Sequence, residues 1–175
     1  MMDHPETIRA SYRPDPITTL FVGESAPASG DFFYYGNNAM LRHMQRATEA
    51  ALGGGDDFPR RFKSYGWFLD DLVLTPVDKL APSERRAKCL AATNSLRDRI
   101  ATYRPLAVVS MLVSIKRIVE AAAKAAGSNA PVYGVPFPGM GQQARFHREM
   151  VEIIPMLPRT GYSGCAADSE AHTWN

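Results

Sequence analysis

The chain has 175 residues, of which 45% are hydrophobic and 22% charged, with a formal net charge of +2 and a pI of about 8.6. This length suits one domain with a single core, and the composition is that of a globular protein rather than a disordered or fibrous one. No apolar run is long enough to cross a bilayer, and residues 1–14 lack the apolar core of a signal peptide. We therefore expect a cytoplasmic protein with no membrane partner. The mildly basic charge permits nucleic-acid binding without requiring it.

The two cysteines, Cys89 and Cys165, do not form a metal-ligand spacing, and two thiols cannot hold an iron–sulfur cluster or build a disulfide framework. We therefore expect no metal and no cofactor. Three basic clusters, at 60–63, 85–88 and 145–148, are candidate phosphate contacts. A solvated helix or loop surface explains any one of them more simply.

In chain order, the first predicted elements are a buried strand over 17–22, a glycine- and aromatic-rich loop over 23–36, a helix that Asn37 or Asn38 caps and that ends at 53–55, a basic loop over 56–66, and a short strand or turn over 67–74. Apolar β-branched runs predict the strands, and apolar residues spaced along one helical face predict the helix. The later predicted elements are one long helix from about residue 82 to Arg104, an apolar strand over 106–112, a helix over 115–126, a short strand over 132–135, a loop over 136–141 and a helix over 142–157 with an end or kink at Pro155.

The alternation of strands and helices predicts a single α/β domain over 1–175, a three-layer α/β/α sandwich around a central, mostly parallel four-stranded sheet. Its last part, 159–175, is predicted to be a flexible tail. Ligand sites in such sheets lie beyond the carboxyl ends of the strands. Three loops qualify, at 23–36, 70–78 and 136–145.

The first of these loops carries a recognisable pattern, because residues 20–41 are LFVGESAPASGDFFYYGNNAML. This segment resembles the first motif of the uracil-DNA glycosylase superfamily, where a strand ends in Gly-Glu-x-Pro-Gly or a relative of it, and glycine, aromatic residues and asparagine precede a helix. The residues of this chain that match the motif in kind and order are Gly23, Glu24, Pro27, Gly30, Phe33, Gly36 and Asn37. One extra residue separates Glu24 from Pro27.

Three later segments extend the resemblance to most of the chain between 17 and 157. Residues 68–77, FLDDLVLTPV, are similar to the superfamily segment whose asparagine contacts the base, and Asp71 falls on that asparagine. Residues 104–112 resemble the Arg-Pro-x-x-Val-Val strand, without its following glycine. Residues 133–145 correspond to the histidine motif and DNA-wedging loop, with the prolines kept and Val135 at the position of the histidine.

The resemblance implies the uracil-DNA glycosylase fold and a monomeric base-excision-repair enzyme that acts on DNA containing uracil or another deaminated base. Such an enzyme flips the base out of the helix and hydrolyses its N-glycosidic bond, leaving an abasic site. The catalytic candidates are Glu24 and Asp71. The base-binding candidates are Gly23, Ser25, Phe33, Asn37 and Asp71, with Phe33 as the stacking ring. The DNA-binding candidates are Phe137, Met140, Gln142 and Arg145.

The chemistry explains these assignments and also leaves alternatives open. Glycosidic cleavage places positive charge on the sugar and negative charge on the leaving base, so Glu24 suits the sugar side and backbone amides of 23–28 suit the base. Glu24 can equally be a carboxylate that braces the loop. An ionised Asp71 can accept the ring N–H of uracil but repels its anion, so it is either a recruited catalytic carboxylate or a sign that the preferred base differs.

Loss of the histidine predicts slower chemistry or a donor from elsewhere. The replacement candidates are Asn37, Asn38, Gln142, Gln143 and His147. Two other hypotheses remain: a non-catalytic nucleic-acid-binding protein of the same fold, and an unrelated small α/β hydrolase. The absence of a Gly-x-Ser-x-Gly elbow and of a phosphate-binding Gly-x-x-x-x-Gly-Lys weakens the hydrolase.

Overall fold

The computed structural model describes residues 4–161, and its architecture is α/β. The four strands are β1 (Thr19–Gly23), β2 (Trp67–Asp71), β3 (Ala107–Ser110) and β4 (Val132–Gly134). The α-helices of the described residues are α1 (Pro5–Ser11), α2 (Ala39–Leu52), α3 (Phe58–Ser64), α4 (Pro82–Ala91), α5 (Thr93–Tyr103), α6 (Lys116–Ala125) and α7 (Gln143–Ile153). Short 3₁₀ turns occupy Phe33–Tyr35, Val113–Ile115 and Ile154–Met156.

The four strands form one all-parallel sheet in the order β2-β1-β3-β4. The central strands β1 and β3 are buried along their whole length, as expected for parallel strands that helices cover on both faces. The predicted three-layer α/β/α sandwich with a four-stranded parallel sheet is confirmed. Because the strands are parallel, all their carboxyl ends meet at one edge, which we call the carboxyl edge.

Side chains alternate between the two faces of the sheet and so define the two helical layers. Phe21 and Trp67 pack against Phe62 of α3, which places α3 on one face together with α2 and α7. Phe68, one residue after Trp67, meets Tyr103 of α5, which places α5 on the other face together with α4 and α6. We call these two sides of the sheet the face of α3 and the face of α5.

Helix α3 occupies Phe58–Ser64, so the prediction of a loop over 56–66 is wrong for most of that segment. The Asp57 side chain accepts a hydrogen bond from the Arg60 amide and caps the N-terminus of α3, and Pro59 occupies its first turn. Phe58 and Phe62, four residues apart, are both buried on one side of the helix. The basic residues between them obscured this short apolar stripe.

The prediction of one long helix after residue 82 is also wrong, because α4 and α5 are separate helices that meet at Ala92. Neither proline nor glycine marks this break, so composition alone gave no sign of it. The buried residues of the two helices are Cys89, Leu96 and Ile100. Helix α1 lies in a segment for which no element was predicted.

Strand β2 is an edge strand, and side chains satisfy its outer polar groups. The Tyr34 hydroxyl accepts from the Leu69 amide at 2.7 Å and donates to the Leu69 carbonyl at 3.0 Å. Arg99 donates to the Asp71 carbonyl at 2.7 Å, and the Asp71 amide donates to the Asp70 carboxylate at 2.8 Å. An edge whose backbone groups are paired in this way offers no template for a strand from another molecule.

The far end of the described chain is tied to the amino edge of the sheet. The Pro158 carbonyl accepts hydrogen bonds from the side chains of Thr18, Thr19 and Trp67, at 2.8, 3.0 and 3.0 Å. The Thr160 amide donates to the Tyr65 carbonyl. Arg159 and Thr160 of the predicted tail are hydrogen-bonded to the body of the protein, and 162–175 lie outside the described residues. Within 4–161 no helix has both the length and the apolar character needed to span a membrane.

Candidate functional site

Two loops at the carboxyl edge, those that follow β1 and β2, are bound to each other. The Val77 amide donates to the Ser25 hydroxyl at 3.2 Å, and the Ala28 amide donates to the Asp78 carboxylate at 3.0 Å. Ser25, a base-binding candidate, thus braces the neighbouring loop. The Ala28 amide, one of the proposed backbone donors, is already occupied.

Glu24 directly follows β1 and turns toward the face of α5. Its carboxylate accepts two hydrogen bonds from Arg85 of α4, one at 2.8 Å from Nε and a shorter one from Nη2, and it contacts the Cys89 thiol at 3.5 Å. Hydrogen bonding to Glu24 raises the pKa of Arg85, and burial together with Glu24 raises the pKa of Cys89 to about 11. The hydrogen bonds from Arg85 fix this carboxylate in place, and the side chain of Glu24 is 11% exposed.

Asp71 ends β2 and lies on the opposite face from Glu24. It is paired in register with Gly23, and a Cβ atom built on Gly23 would come within 2.5 Å of Asp71 Oδ1. Its other oxygen, Oδ2, accepts a hydrogen bond of 2.8 Å from Arg9. Burial raises the pKa of Asp71, and the attraction of Arg9 opposes that rise. The two catalytic candidates therefore flank the ends of β1 and β2 from two sides and do not touch.

Asp70 points to the other face, as the alternation of a strand predicts. It binds Arg99 at 2.7 Å through Oδ2, and its Oδ1 lies 3.2 Å from Arg9 Nη1. Arg9 thus reaches both aspartates around the end of the sheet. Neither arginine was singled out in the sequence, because a buried ion pair between residues some 30 to 60 positions apart leaves no local pattern.

The aromatic turn at 32–35 packs inward. Phe33, expected to stack on the base, is 2% exposed and packs against the rings of Phe62 and Tyr34, so its ring is enclosed by the protein. The Asn37 side chain accepts from the Phe32 amide and closes the turn, and Asn38 caps α2 through the Leu41 amide. In this conformation a base can reach Phe33 only if the turn moves.

The loop between β4 and α7 carries the DNA-binding candidates on its surface. Phe137 is 46% exposed and Met140 is completely exposed. Met140 also has a φ of 50°, a left-handed conformation that is unusual for a residue with a side chain. Gln142 is exposed as well, and Arg145 forms an exposed ion pair with Glu149 at 2.6 Å. The structure brings these four together at the carboxyl edge.

Exposed apolar side chains recur along this edge. Leu74 follows β2 and is 50% exposed, and Val113 follows β3 and is 57% exposed. Val135, at the position of the motif histidine, is completely buried beside β3. The edge therefore combines apolar loop tips with the fixed carboxylates of Glu24 and Asp71.

Open clefts also occur elsewhere on the molecule. One lies between the C-terminal ends of α5 and α6, beside Arg104 and Leu106, and another lies beside Arg60 and Lys63. Neither includes Gly23, Phe33 or Asp71. Across residues 4–161, no three His, Cys, Asp or Glu side chains converge as a metal site would require. Comparisons with known protein families and with curated proteins find no match to this chain.

Proposed function

We propose that the protein is a monomeric DNA-repair glycosylase that flips a deaminated base, most simply uracil, out of DNA and hydrolyses its N-glycosidic bond. The observation that carries this proposal is Glu24. It is a carboxylate at the end of a central strand, held by two hydrogen bonds from Arg85, and its side chain is 11% exposed. The resemblance to uracil-DNA glycosylases assigns catalysis to this same position.

Glu24 and Asp71 divide the chemistry between sugar and base. As the bond between the sugar carbon and the base nitrogen breaks, the base leaves with the electron pair and the sugar gains positive charge, which the Glu24 carboxylate offsets while it orients the attacking water. The water oxygen bonds to the sugar carbon, and the proton that the water loses passes to the departing base. Arg85 keeps that carboxylate in one orientation, so little reorganisation accompanies the reaction. Asp71 lies on the opposite face and accepts a hydrogen bond from the base. The reaction as written uses water and needs no cofactor.

The exposed loop between β4 and α7 supports the DNA contact. A flipped base leaves a gap in the helix, and apolar side chains inserted between bases fill such gaps. Met140 has no packing partner to explain its strained backbone, so the strain is consistent with a functional role. Phe137 lies in the same loop, Gln142 offers polar contacts, and Arg145 can exchange Glu149 for a phosphate.

The test measures alkali-sensitive strand scission of DNA that carries one uracil, hypoxanthine or mismatched thymine. We expect release of at least one base, and we expect Glu24→Gln to slow it by about 10²-fold or more, in line with the loss of one positioned electrostatic group. The matched control is Glu49→Gln, which removes another arginine-paired carboxylate, on α2, and should leave the rate unchanged. Equal rates for the two variants would remove Glu24 from the mechanism.

The burial of Phe33 favours a second candidate, a nucleic-acid-binding protein of the same fold without catalysis. A base-excising enzyme needs an accessible face on which the flipped base stacks, and Phe33 has none in this conformation. Binding of DNA with no release of any of the three bases would support this candidate over the first.

A further inference from the structure

Arg9 is a buried cation that neither the sequence patterns nor the mechanism above uses. It is 4% exposed and belongs to α1, yet its guanidinium contacts the end of β2. Its Nη2 donates to Asp71 at 2.8 Å, its Nη1 donates to Asp70 at 3.2 Å, and its Cζ lies 5.1 Å from the ring centre of Phe32. A short helix thus delivers one arginine to the carboxyl edge.

The two oxygens of Asp71 differ in their surroundings. Oδ2 is bound to Arg9, whereas the described residues, 4–161, donate no hydrogen bond to Oδ1. Oδ1 lies against Gly23, where any side chain would collide with it. One oxygen is therefore held by the protein, and the other remains able to accept a hydrogen bond from a ligand at the carboxyl edge.

The charges around Asp71 nearly cancel. The titratable and charged groups that face it from the surrounding elements are Glu6 and Arg9 of α1, Tyr34 of the aromatic turn, Asp70 of β2, and Arg99 and Tyr103 of α5. Two arginines thus balance the two buried aspartates, and Glu6 is half-exposed at the periphery. Arg9 is the group that contacts the carboxylate of Asp71 directly.

We infer that Arg9 is a positioning residue for base recognition: it holds one oxygen of Asp71 and offsets its charge, so that the other oxygen accepts a ring N–H of the flipped base. This inference rests on the proposed glycosylase function. A carboxylate that only accepts favours bases with a ring N–H on the pairing edge, which are uracil, thymine, guanine, hypoxanthine and xanthine. Cytosine and adenine present a ring nitrogen lone pair at that position, and the carboxylate repels it.

The charge of Arg9 has a consequence for pH dependence. Asp71 must be ionised to accept the hydrogen bond. Burial raises the pKa of Asp71, and the charge and hydrogen bond of Arg9 lower it. Removal of Arg9 raises that pKa further, so the acid limb of the activity profile moves to higher pH. An opposite charge at this distance typically shifts a carboxyl pKa by about 1–3 units.

The experiment measures kcat/KM for uracil release between pH 5 and 9 in the full-length protein. It compares the wild type with Arg9→Gln, Arg9→Lys and Asp71→Asn. The control is Arg97→Gln, which removes a partly exposed arginine paired with Asp98. We expect Arg9→Gln to move the acid limb upward by about one pH unit or more, with Arg9→Lys and Arg97→Gln close to wild type. Asp71→Asn should lose that limb. Circular dichroism over the same pH range measures the folded fraction, and where that fraction is constant, a merely structural role for Arg9 would lower the rate without moving the limb.

The outcomes separate the two proposals. A wild type that releases none of uracil, hypoxanthine or mismatched thymine would overturn the glycosylase itself, and the role of Arg9 with it. An active wild type whose acid limb stays in place in Arg9→Gln, or persists in Asp71→Asn, would overturn the role of Arg9 alone. Should Arg9→Gln fail to fold, Arg9→Lys decides, because lysine keeps the positive charge. If the acid limb of Arg9→Lys also moves upward by about one pH unit or more, the charge of Arg9 is not what sets its position.

Discussion

The contact between Gly23 and Asp71 joins two neighbouring strands at the point where both end. A methyl group on Gly23 would lie 2.5 Å from Asp71 Oδ1, and Asp71 cannot retreat easily because Arg9 holds its other oxygen. The need for glycine here is steric, since its backbone conformation is one that other residues adopt.

We expect Gly23→Ala to lower the free energy of unfolding by about 1–3 kcal/mol, as overpacking of a tight site does. It should also abolish base release, because the methyl group covers the free oxygen of Asp71. Urea unfolding and the strand-scission assay measure the two effects separately.

Gly54→Ala is the matched control, because nothing lies within 4 Å of a Cβ built there. It should change stability by no more than about 0.5 kcal/mol. If Gly23→Ala proved as stable and as active as Gly54→Ala, the close approach of Asp71 to Gly23 would have no functional meaning.

Among the elements, β2 depends most on side chains from outside the sheet. Its outer edge is paired by the Tyr34 hydroxyl, which serves both the amide and the carbonyl of Leu69. Burial raises the pKa of Tyr34 well above its ordinary value, so the hydroxyl stays neutral and keeps its proton to donate.

Tyr34→Phe removes this hydroxyl and leaves two buried backbone groups without partners. We expect a loss of about 1–3 kcal/mol in the free energy of unfolding, together with a greater tendency to aggregate through the exposed edge. Calorimetry and light scattering provide the measurements.

Tyr12→Phe serves as the comparison, since Tyr12 stacks on Tyr34 at 5.2 Å and the substitution keeps that ring contact. A loss of stability of the same size in both variants would mean that the hydroxyl of Tyr34 does not protect the edge.

An element could be predicted from the sequence when residues within the element itself determine where it begins and ends. Strands β1 and β3 were predicted because their apolar runs are continuous, and the end of α2 because glycines at 53–55 interrupt it. Helix α3 was missed because only Phe58 and Phe62 mark its inner side. The break between α4 and α5 at Ala92 depends on packing against the sheet, and no residue type announces it.

At the scale of the whole molecule, the parallel sheet gathers distant loops at one edge. Glu24, Asp71 and the loop from 136 to 145 were expected there because parallel strands end together. Their partners could not be predicted, because Arg9 and Arg85 lie about 60 residues from the acids they bind. The burial of Phe33 likewise depends on α3, which the sequence patterns did not reveal.

The exposed loop between β4 and α7 allows a test of whether the carboxyl edge binds DNA. We expect Met140→Ser to change the free energy of unfolding by less than about 0.5 kcal/mol, because Met140 is fully exposed. We also expect it to weaken binding to duplex DNA that contains uracil by about tenfold, or about 1.4 kcal/mol. Single-stranded DNA has no gap to fill and should be affected less.

Fluorescence anisotropy measures both affinities, and Met156→Ser is the control because Met156 is also exposed but follows α7, away from the loop. Equal weakening by the two substitutions would indicate a general loss of apolar surface rather than a contact at the loop.

The attachment of α1 bears on how shortened forms of the chain are made. Trimming to residue 17, where the first predicted strand begins, would spare every strand yet remove Arg9, leaving two interior aspartates with one arginine between them. Breaking a buried ion pair by removing one partner costs about 3–5 kcal/mol. A purification tag is therefore better joined through a spacer ahead of residue 4. Truncated forms that begin at β1 would lack Arg9, the cation that balances the buried aspartates.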